Sequence, residues 1–393
     1  MITTLGLLIF LIFWGTWEFK RHQRNVGSIP IRVHVNGTRG KSSVTRLIAA
    51  GMRAGGIKTL GKTTGTKPRI IFEDWYEVPI ARAGKANIIE QVMVFRRAFT
   101  LGVEGIVVEC MAVQPALQLL VERKMVKATI GVLTNVRADH LDEMGPTLEM
   151  VAKSLSSTIP RNGIMFTSEK KYLPIIQEEG KKLNCQIIPV SPENITDQMM
   201  SGFTYLEHKD NVALALAVCA HLGIERDKAL EGMYKCNPDP GVLRIFEINY
   251  YQKKMEFVNA FAANDPDSYA IIWELLKPYI STEKKLIVLV NGRDDRIQRS
   301  EQLGELISKM YADHFVLVGK YTNALANKAI SSGLSHHKIV DLGGYPVDDV
   351  FEQILSLTPS KSIVVGIGNI VGLGEEIVTH FINRGREIVY RSS

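Results

Sequence analysis

The sequence has little cysteine: four residues in 393, at positions 110, 185, 219 and 236, with no Cys-x-x-Cys pair among them. That argues against a zinc site and a disulfide framework, and points to a reducing compartment. Low-complexity segments and internal repeats are lacking too. Charge of either sign is scarce in excess: 47 Lys and Arg face 41 Asp and Glu, a net +6. So small a surplus favours acidic substrates or an anionic membrane surface only weakly, and nucleic acid hardly at all. The basic residues are scattered, without the aromatic interleaving of a single-strand binding platform.

Charge is absent from one place in particular. "MITTLGLLIFLIFWGTWEF" carries none before Glu18, and "KRHQR" follows at once. Seventeen uncharged residues span roughly 25 Å as a helix, slightly short of the ~30 Å hydrocarbon core. Trp14, Trp17 and the basic flank can sit in the interface and absorb the mismatch. A transmembrane anchor is therefore expected over residues 1–19. Lys20, Arg21 and Arg24 then put the rest on the cytoplasmic side of a cell membrane, as a single-pass protein. A cleaved signal peptide would need a basic n-region and a small-residue cleavage site, and has neither. A buried core helix is the alternative.

What is present suits a globular protein: 46% apolar and 22% charged residues, in a length that favours two domains. Ile31–Val35 reads as a strand and Ser43–Ala54 as a helix. The runs 105–110 and 128–136 are apolar without strict alternation, as suits strands buried on both faces of a parallel sheet. Helical patterns fall at 87–101 and 146–158, strands at 164–167 and 185–190, and a helix at 210–222. The expected fold is a doubly wound α/β domain over residues 28–240. "NPDPG" (237–241) is a turn-rich break. Beyond it, strands at 285–291, 314–319 and 362–366 alternate with helices at 268–277, 300–311 and 373–383. These make a smaller Rossmann-like α/β domain over 241–393.

The stretch "VHVNGTRGKSSVTRL" carries the first chemistry. Gly37, Thr38, Arg39 and Gly40 form a glycine-rich turn between strand and helix, with Lys41, Ser42 and Ser43 opening the helix. Two glycines let the backbone curl so that N–H groups and the helix N-terminus face one anion. Lys41 can reach β- and γ-phosphates, and the Ser42 hydroxyl can ligate Mg²⁺. The loop is nevertheless shorter than the standard phosphate loop, which wants glycine at position 35, where Val stands. Two further elements lie at strand ends. Glu109 closes "VVECMA", and "TNVRADHLD" places Asn135, Asp139, His140 and Asp142 past another strand. Open α/β sheets put their sites at these carboxyl ends. Ser42, Glu109 and His140 are the candidate metal ligands.

In this order, the short loop, the glutamate after a buried strand and the "NxxxDHLD" block resemble the Mur ligase superfamily. "RHQRN", "NGTRGKSSVTRL", "GKTTGT", "ECMAVQP", "DHLDEMGPTLEMVA", "NPDPGVLRI", "FAANDPDS" and "GIGNIVGLGE" narrow the resemblance. Over essentially the whole chain they resemble the PgsB/CapB family, the ligase subunits of bacterial poly-γ-glutamate synthases. The resemblance implies ATP and Mg²⁺ as cofactors, with Asn211 towards the adenine and Arg244 on the phosphates. Asn264 and Asp265 would open the C-terminal domain on the nucleotide side. It implies Lys41, Arg244 and His140 as the catalytic set. It implies glutamate and the growing poly-γ-glutamate chain as substrates, and membrane subunits of the synthase complex (CapC/PgsC-like and CapA/PgsA-like) as partners. Two departures from the broader superfamily stand out. About ten residues separate the basic flank from the first strand, leaving no room for a UDP-sugar domain. The superfamily's carbamylated lysine has Lys153 as its nearest candidate, in a helical pattern that reads as solvated.

"GKTTGTKPR" offers Lys62, Thr63, Thr64, Thr66 and Lys67 as a grip on substrate carboxylates or triphosphate. "GIGNIVGLG" (366–374) lacks the third glycine of a dinucleotide loop, since 371 is Val, and reads as a tight turn into the last helix. The expected activity is an ATP-dependent amide ligase acting through an acyl phosphate. A folylpolyglutamate synthase-like ligase and a membrane-tethered phosphate-loop switch stay open as alternatives.

Overall fold

A computed structural model describes residues 2–388 except 66–67, 83–85, 204, 206, 239–242, 262–271, 274–275, 277–279, 281–282, 293–296, 369 and 371. Residues up to 203, with 207–239, form one compact unit, and 240–393, with 204–206, form a second.

The first unit is built on β1 (Ile31–Asn36), β2 (Thr59–Lys62), β3 (Arg69–Ile71), β4 (Glu77–Pro79), β5 (Gly105–Glu109), β6 (Ile130–Leu133), β7 (Ile164–Thr167) and β8 (Gln186–Pro189). They lie in the order β4-β3-β2-β5-β1-β6-β7-β8. The pairs β2–β3 and β3–β4 are antiparallel and the others parallel. The residues of β5 and β6 are all buried, as the unbroken apolar runs require when helices cover both faces. Helix α2 (Lys41–Ala54) leaves β1 and buries Val44, Leu47 and Ile48 on one stripe against the sheet. The expected helices appear as α3 (Glu90–Leu101), α6 (Leu148–Leu155) and α9 (Lys209–His221), within a few residues of their sequence bounds, with α5 (Leu141–Met144), α7 (Leu173–Lys182) and α8 (Asp197–Met200) between them. The chain runs from β5 through α4 (Pro115–Leu120) and a π-helical turn, Val121–Val126, to β6 on the far side of β1. The carboxyl end of β1, where the phosphate loop begins, therefore lies between those of β5 and β6.

A charged pair is buried beneath this strand. His34 is fully buried in β1, its Nδ1 2.8 Å from Glu122 Oε2. Burial pulls the imidazole pKa down, but Cys110 and Glu122 more than offset it and raise it to about 9. His34 thus donates to Glu122 as the cation.

The N-terminal stretch corrects the sequence reading. It is helical, α1 (Ile2–Gly27), but no helix among the described residues is long and apolar enough to cross a membrane. The physical reason lies in its second half. His22, Asn25 and Val26 are buried in the domain, the His22 ring nitrogen Nε2 lies 2.9 Å from Met125 O, and Gln23 donates to Lys124 O. Its last turns are thus domain structure, and charges at Glu18 and Lys20 already end the apolar run. The buried-core alternative fails as well, because Leu5 to Phe13 and Trp14, Trp17 and Phe19 are exposed.

The second unit holds β9 (Arg244–Tyr250), β10 (Lys253–Asn259), β11 (Lys285–Asn291), β12 (His314–Val318), β13 (Ile339–Asp341), β14 (Lys361–Gly368) and β15 (Gly385–Ile388). Their order is β13-β12-β11-β14-β10-β9-β15, with β9 antiparallel to both neighbours. The strands expected at 285–291, 314–319 and 362–366 are β11, β12 and β14, and the helices at 300–311 and 373–383 are Ile297–Ser308 and Leu373–Ile382. The helix expected at 268–277 lies largely outside the described residues. Sequence patterning missed β9 and β10, a hairpin whose turn residue Tyr251 has φ 53°. Gly368 and Gly372 both take positive φ before the last helix, in keeping with a tight turn there.

Candidate active site

The phosphate loop sits at the carboxyl end of β1. Gly37 and Gly40 have φ of 134° and 80°, conformations that residues with a Cβ rarely adopt. Space forbids a side chain as well: a Cβ on Gly37 would lie 2.0 Å from Thr134 Oγ1, and one on Gly40 2.7 Å from Asn211 Oδ1. Gly40 ends the loop in the left-handed region, and α2 starts at Lys41 without a side-chain cap, leaving its first N–H groups for an anion. Lys41 folds back over the turn, donating to Gly37 O at 2.7 Å and to Thr38 O at 3.3 Å.

Residues past β6 clamp the loop from the other side. Asn135 Oδ1 accepts from Thr38 Oγ1 at 2.7 Å and from the Arg39 N–H at 3.1 Å. Thr134 Oγ1 and Asn135 Nδ2 both donate to Arg39 O. Asn211, buried at the start of α9, lies against Gly40 while its amide donates to Glu207 at 2.8 Å. Ser43 is the third residue of α2. Sequence reasoning named Asn135 and Asn211 but missed the threonine clamp, whose one signal was its place at the end of a buried strand.

The second half of the site comes from β2 and β5. Ser42 Oγ donates to Glu109 Oε2 at 2.8 Å, and the Thr64 N–H donates to the same oxygen at 2.6 Å. Glu109 is buried, so three polar groups meet in a small, mostly dehydrated volume beside the phosphate loop. A hydroxyl and a carboxylate so placed are hard oxygen donors that fit Mg²⁺. Lys62, at the end of β2, is fully buried with Nζ 3.5 Å from Glu90 Oε2. Burial pushes its ammonium down to about 8, against the opposing pull of Glu90 and Glu109. Burial also raises the Glu90 carboxyl, but a bidentate Arg82 (2.6 and 3.0 Å) and Lys62 bring it below its ordinary value. Thr63 pairs with Arg69, through its own N–H at 3.0 Å and its hydroxyl at 3.3 Å. Thr66 and Lys67 lie outside the described residues.

The remaining predicted residues have other partners. His140 is partly exposed, in the left-handed region (φ 47°), with Nδ1 3.0 Å from Glu143 and Nε2 3.8 Å from Asp139. Asp139 also faces Arg39 at 3.7 Å. No group of three or more His, Cys, Asp or Glu among the described residues could hold a metal ion. Lys153 is exposed on α6. In the second unit, Arg244 forms a bidentate pair with Glu387 between β9 and β15 and stacks over Phe246 at 5.3 Å. Asn264 and Asp265 lie outside the described residues.

Comparison with known proteins fits this geometry. Residues 35–229 match the Mur ligase middle domain, and residues 245–384 the poly-gamma-glutamate synthase CapB C-terminal domain. A bifunctional folylpolyglutamate synthase/dihydrofolate synthase from Yersinia pestis, complexed with AMPPNP and Mn ion, superposes with a TM-score of 0.66. The match covers 92% of both chains at 14% identity. MurF from Acinetobacter baumannii gives a TM-score of 0.64 over 93% of this chain and 79% of that one, at 15% identity. At such identities the likeness shows the fold alone. Fold, family and phosphate loop together define an ATP-dependent ligase of the Mur type. Capsule biosynthesis protein CapB of Bacillus anthracis is 38% identical over 96% of this chain and 82% of its own length. PGA synthase CapB of Bacillus subtilis is 36% identical over 93% of each. The chain belongs to this CapB family of poly-γ-glutamate synthases.

Proposed function

We propose that this protein extends poly-γ-glutamate by ATP-dependent amide formation. A carboxylate is a poor electrophile, since its charge repels an amine and oxide does not leave. Transfer of the γ-phosphoryl group of ATP to the γ-carboxylate of the chain end gives an acyl phosphate and ADP. The amine of the next glutamate then attacks the carbonyl carbon, the C–O bond to phosphate breaks, and inorganic phosphate leaves as the amide forms. The protein's part is positioning and charge neutralisation.

The observation that carries the reading is the meeting of Ser42 Oγ and the Glu109 carboxylate beside Lys41. Lys41 is within the loop that faces the phosphates and stabilises charge on the transferring group. Ser42 and Glu109 would hold the divalent ion, which supplies charge neutralisation when bound. His140 completes the metal set in this reading, Asn211 contacts the nucleotide, and Arg244, Asn264 and Asp265 act from the C-terminal domain. Residues 28–240 then serve as the ATP-binding domain and 241–393 as a C-terminal Rossmann-like domain. Lys62, Thr63, Thr64, Thr66 and Lys67 grip the acceptor. The exposed apolar arm of α1 supports attachment to membrane subunits of a synthase complex, because a run of uncovered Leu, Ile, Phe and Trp calls for an apolar partner.

The test is incubation with ATP, Mg²⁺ and glutamate carrying ¹⁸O in its carboxyl groups. The expected products are ADP and phosphate bearing one ¹⁸O per bond formed. Unlabelled phosphate would indicate a switch-type ATPase, and AMP with pyrophosphate an adenylating ligase.

A further inference from the structure

At the opposite end of the same sheet, the amino ends of β1, β6 and β7 surround a hollow of about 890 Å³. That size lies within the usual range of ligand pockets. Five cations line it: Arg32, Arg123, Lys124, Lys127 and Arg161. They come from three separate segments: the start of β1, the π-helical turn with its following residue, and the loop before β7. Their single acidic neighbour, Glu122, is turned inward. Its two oxygens are taken by His34 at 2.8 Å and by the Ala128 N–H at 3.0 Å. Arg32 spends its guanidinium on the carbonyls of Ile29 and Lys127. None of the five has a carboxylate within 4 Å among the described residues. Uncompensated positive charge of this density, converging on a concavity, repels itself unless an anion is bound.

The shape and lining decide what kind of anion. A membrane surface is flat and meets protruding cations, whereas these surround a recess. No aromatic ring lines it, so it offers no stacking platform for bases. Arginine forks mixed with lysines suit carboxylates and phosphates alike, and several cations in a row suit a chain that carries a carboxylate on every unit.

We propose that this hollow is a polycarboxylate site that holds the grown part of the poly-γ-glutamate chain, at the end of the sheet remote from the phosphate loop. The inference rests on the reading of the product given above. β1 is six residues long, so the two ends of the sheet lie only about 17 Å apart, a span that an extended polymer bridges readily. Holding the polymer there keeps it on the enzyme between additions, so the hollow governs product length rather than the rate of bond formation.

The test uses the full chain and fluorescently labelled poly-γ-glutamate, with affinity read by anisotropy in the absence of ATP. Wild type should bind polymer far more tightly than monomeric glutamate, with an affinity that falls as salt rises. The triple variant R123Q/K127Q/R161Q should bind roughly tenfold or more weakly, release ADP with a short acceptor at the wild-type rate, and yield shorter product. A single reversal, Lys127→Glu, should move affinity in the same direction, with circular dichroism reporting on its fold. Equal polymer affinity in the well-folded variants and wild type overturns the proposal. So does a variant that loses phosphatidylglycerol vesicles but keeps polymer, which would make the hollow a lipid site. Because affinity is measured without ATP, failure of ligation would overturn the ligase reading alone and leave polymer affinity to decide the hollow.

Discussion

The Ser42 hydroxyl donates to the Glu109 carboxylate at 2.8 Å, joining the first turn of α2 to the end of β5 across 67 residues of sequence. The contact exists because β1 and β5 are parallel neighbours in a register that sets Val35 opposite Glu109. Glu109→Gln keeps the size but removes the charge. It should raise the Mg²⁺ concentration needed for half-maximal ligation while leaving thermal unfolding nearly unchanged. Titration of activity against Mg²⁺ checks this, and an unchanged half-saturation would remove Glu109 from the metal set.

Lys41 holds its ammonium on the carbonyls of the loop it will share with phosphate. Lys41→Ala should lower turnover by about 10²–10³, the usual cost of losing a transition-state charge contact. Its stability should change little, since a partly exposed lysine contributes little to folding. Steady-state ADP release beside a urea melt separates the two effects.

Gly37→Ala places a methyl 2.0 Å from Thr134 Oγ1 at a φ of 134°. Strain of roughly 1–3 kcal/mol is expected from the backbone alone, with the loop displaced. The urea midpoint should fall and nucleotide affinity should collapse. Wild-type ATP affinity in this variant would mean that the loop does not bind in this shape.

His34 gives stability a pH dependence of definite sign. Its pKa is raised from 6.5 to about 9 in the folded state. Its contribution is therefore complete below about pH 6.5 and is lost as pH rises through 9. Lys62 acts in the opposite sense. Its pKa is lowered to about 8, so stability gains from it as pH rises from there towards 10.5. The difference between wild type and His34→Gln isolates the first effect: urea-derived stabilities should converge between pH 6.5 and 9. A gap that stays constant over that range would show that His34 does not change charge there.

Deleting residues 1–19 should leave a folded chain that still binds ATP, because residues 3–19 are exposed. Deleting 1–29 should destabilise it by several kcal/mol. It removes the buried Val26 and Ile29, at about 1.5–3 kcal/mol for each side chain, and the His22 and Gln23 contacts with residues 124 and 125. Melting temperatures of the two truncations compare directly.

Local spacing determined much of this protein. Gly37 and Gly40 mark the phosphate loop in the sequence because their backbone angles are ones that only glycine adopts freely, a property of single residues. The strands at 105–109 and 130–133 are legible because burial on both faces demands unbroken apolar runs. Tertiary structure alone decided the rest. The meeting of Glu109 with Ser42 and Thr64, and of Asn211 with Gly40, depends on which strands lie side by side, and sheet order is not written in any local pattern. The N-terminal helix shows the same limit. Its composition resembled a membrane span, yet its fate turned on whether His22, Gln23 and Val26 found partners a hundred residues away on the turn after α4. The basic hollow is assembled from residues 32, 123–127 and 161, which scatter along the chain and converge only where three strands begin. Residue type sets what a side chain can do, and long-range packing sets which side chains do it together.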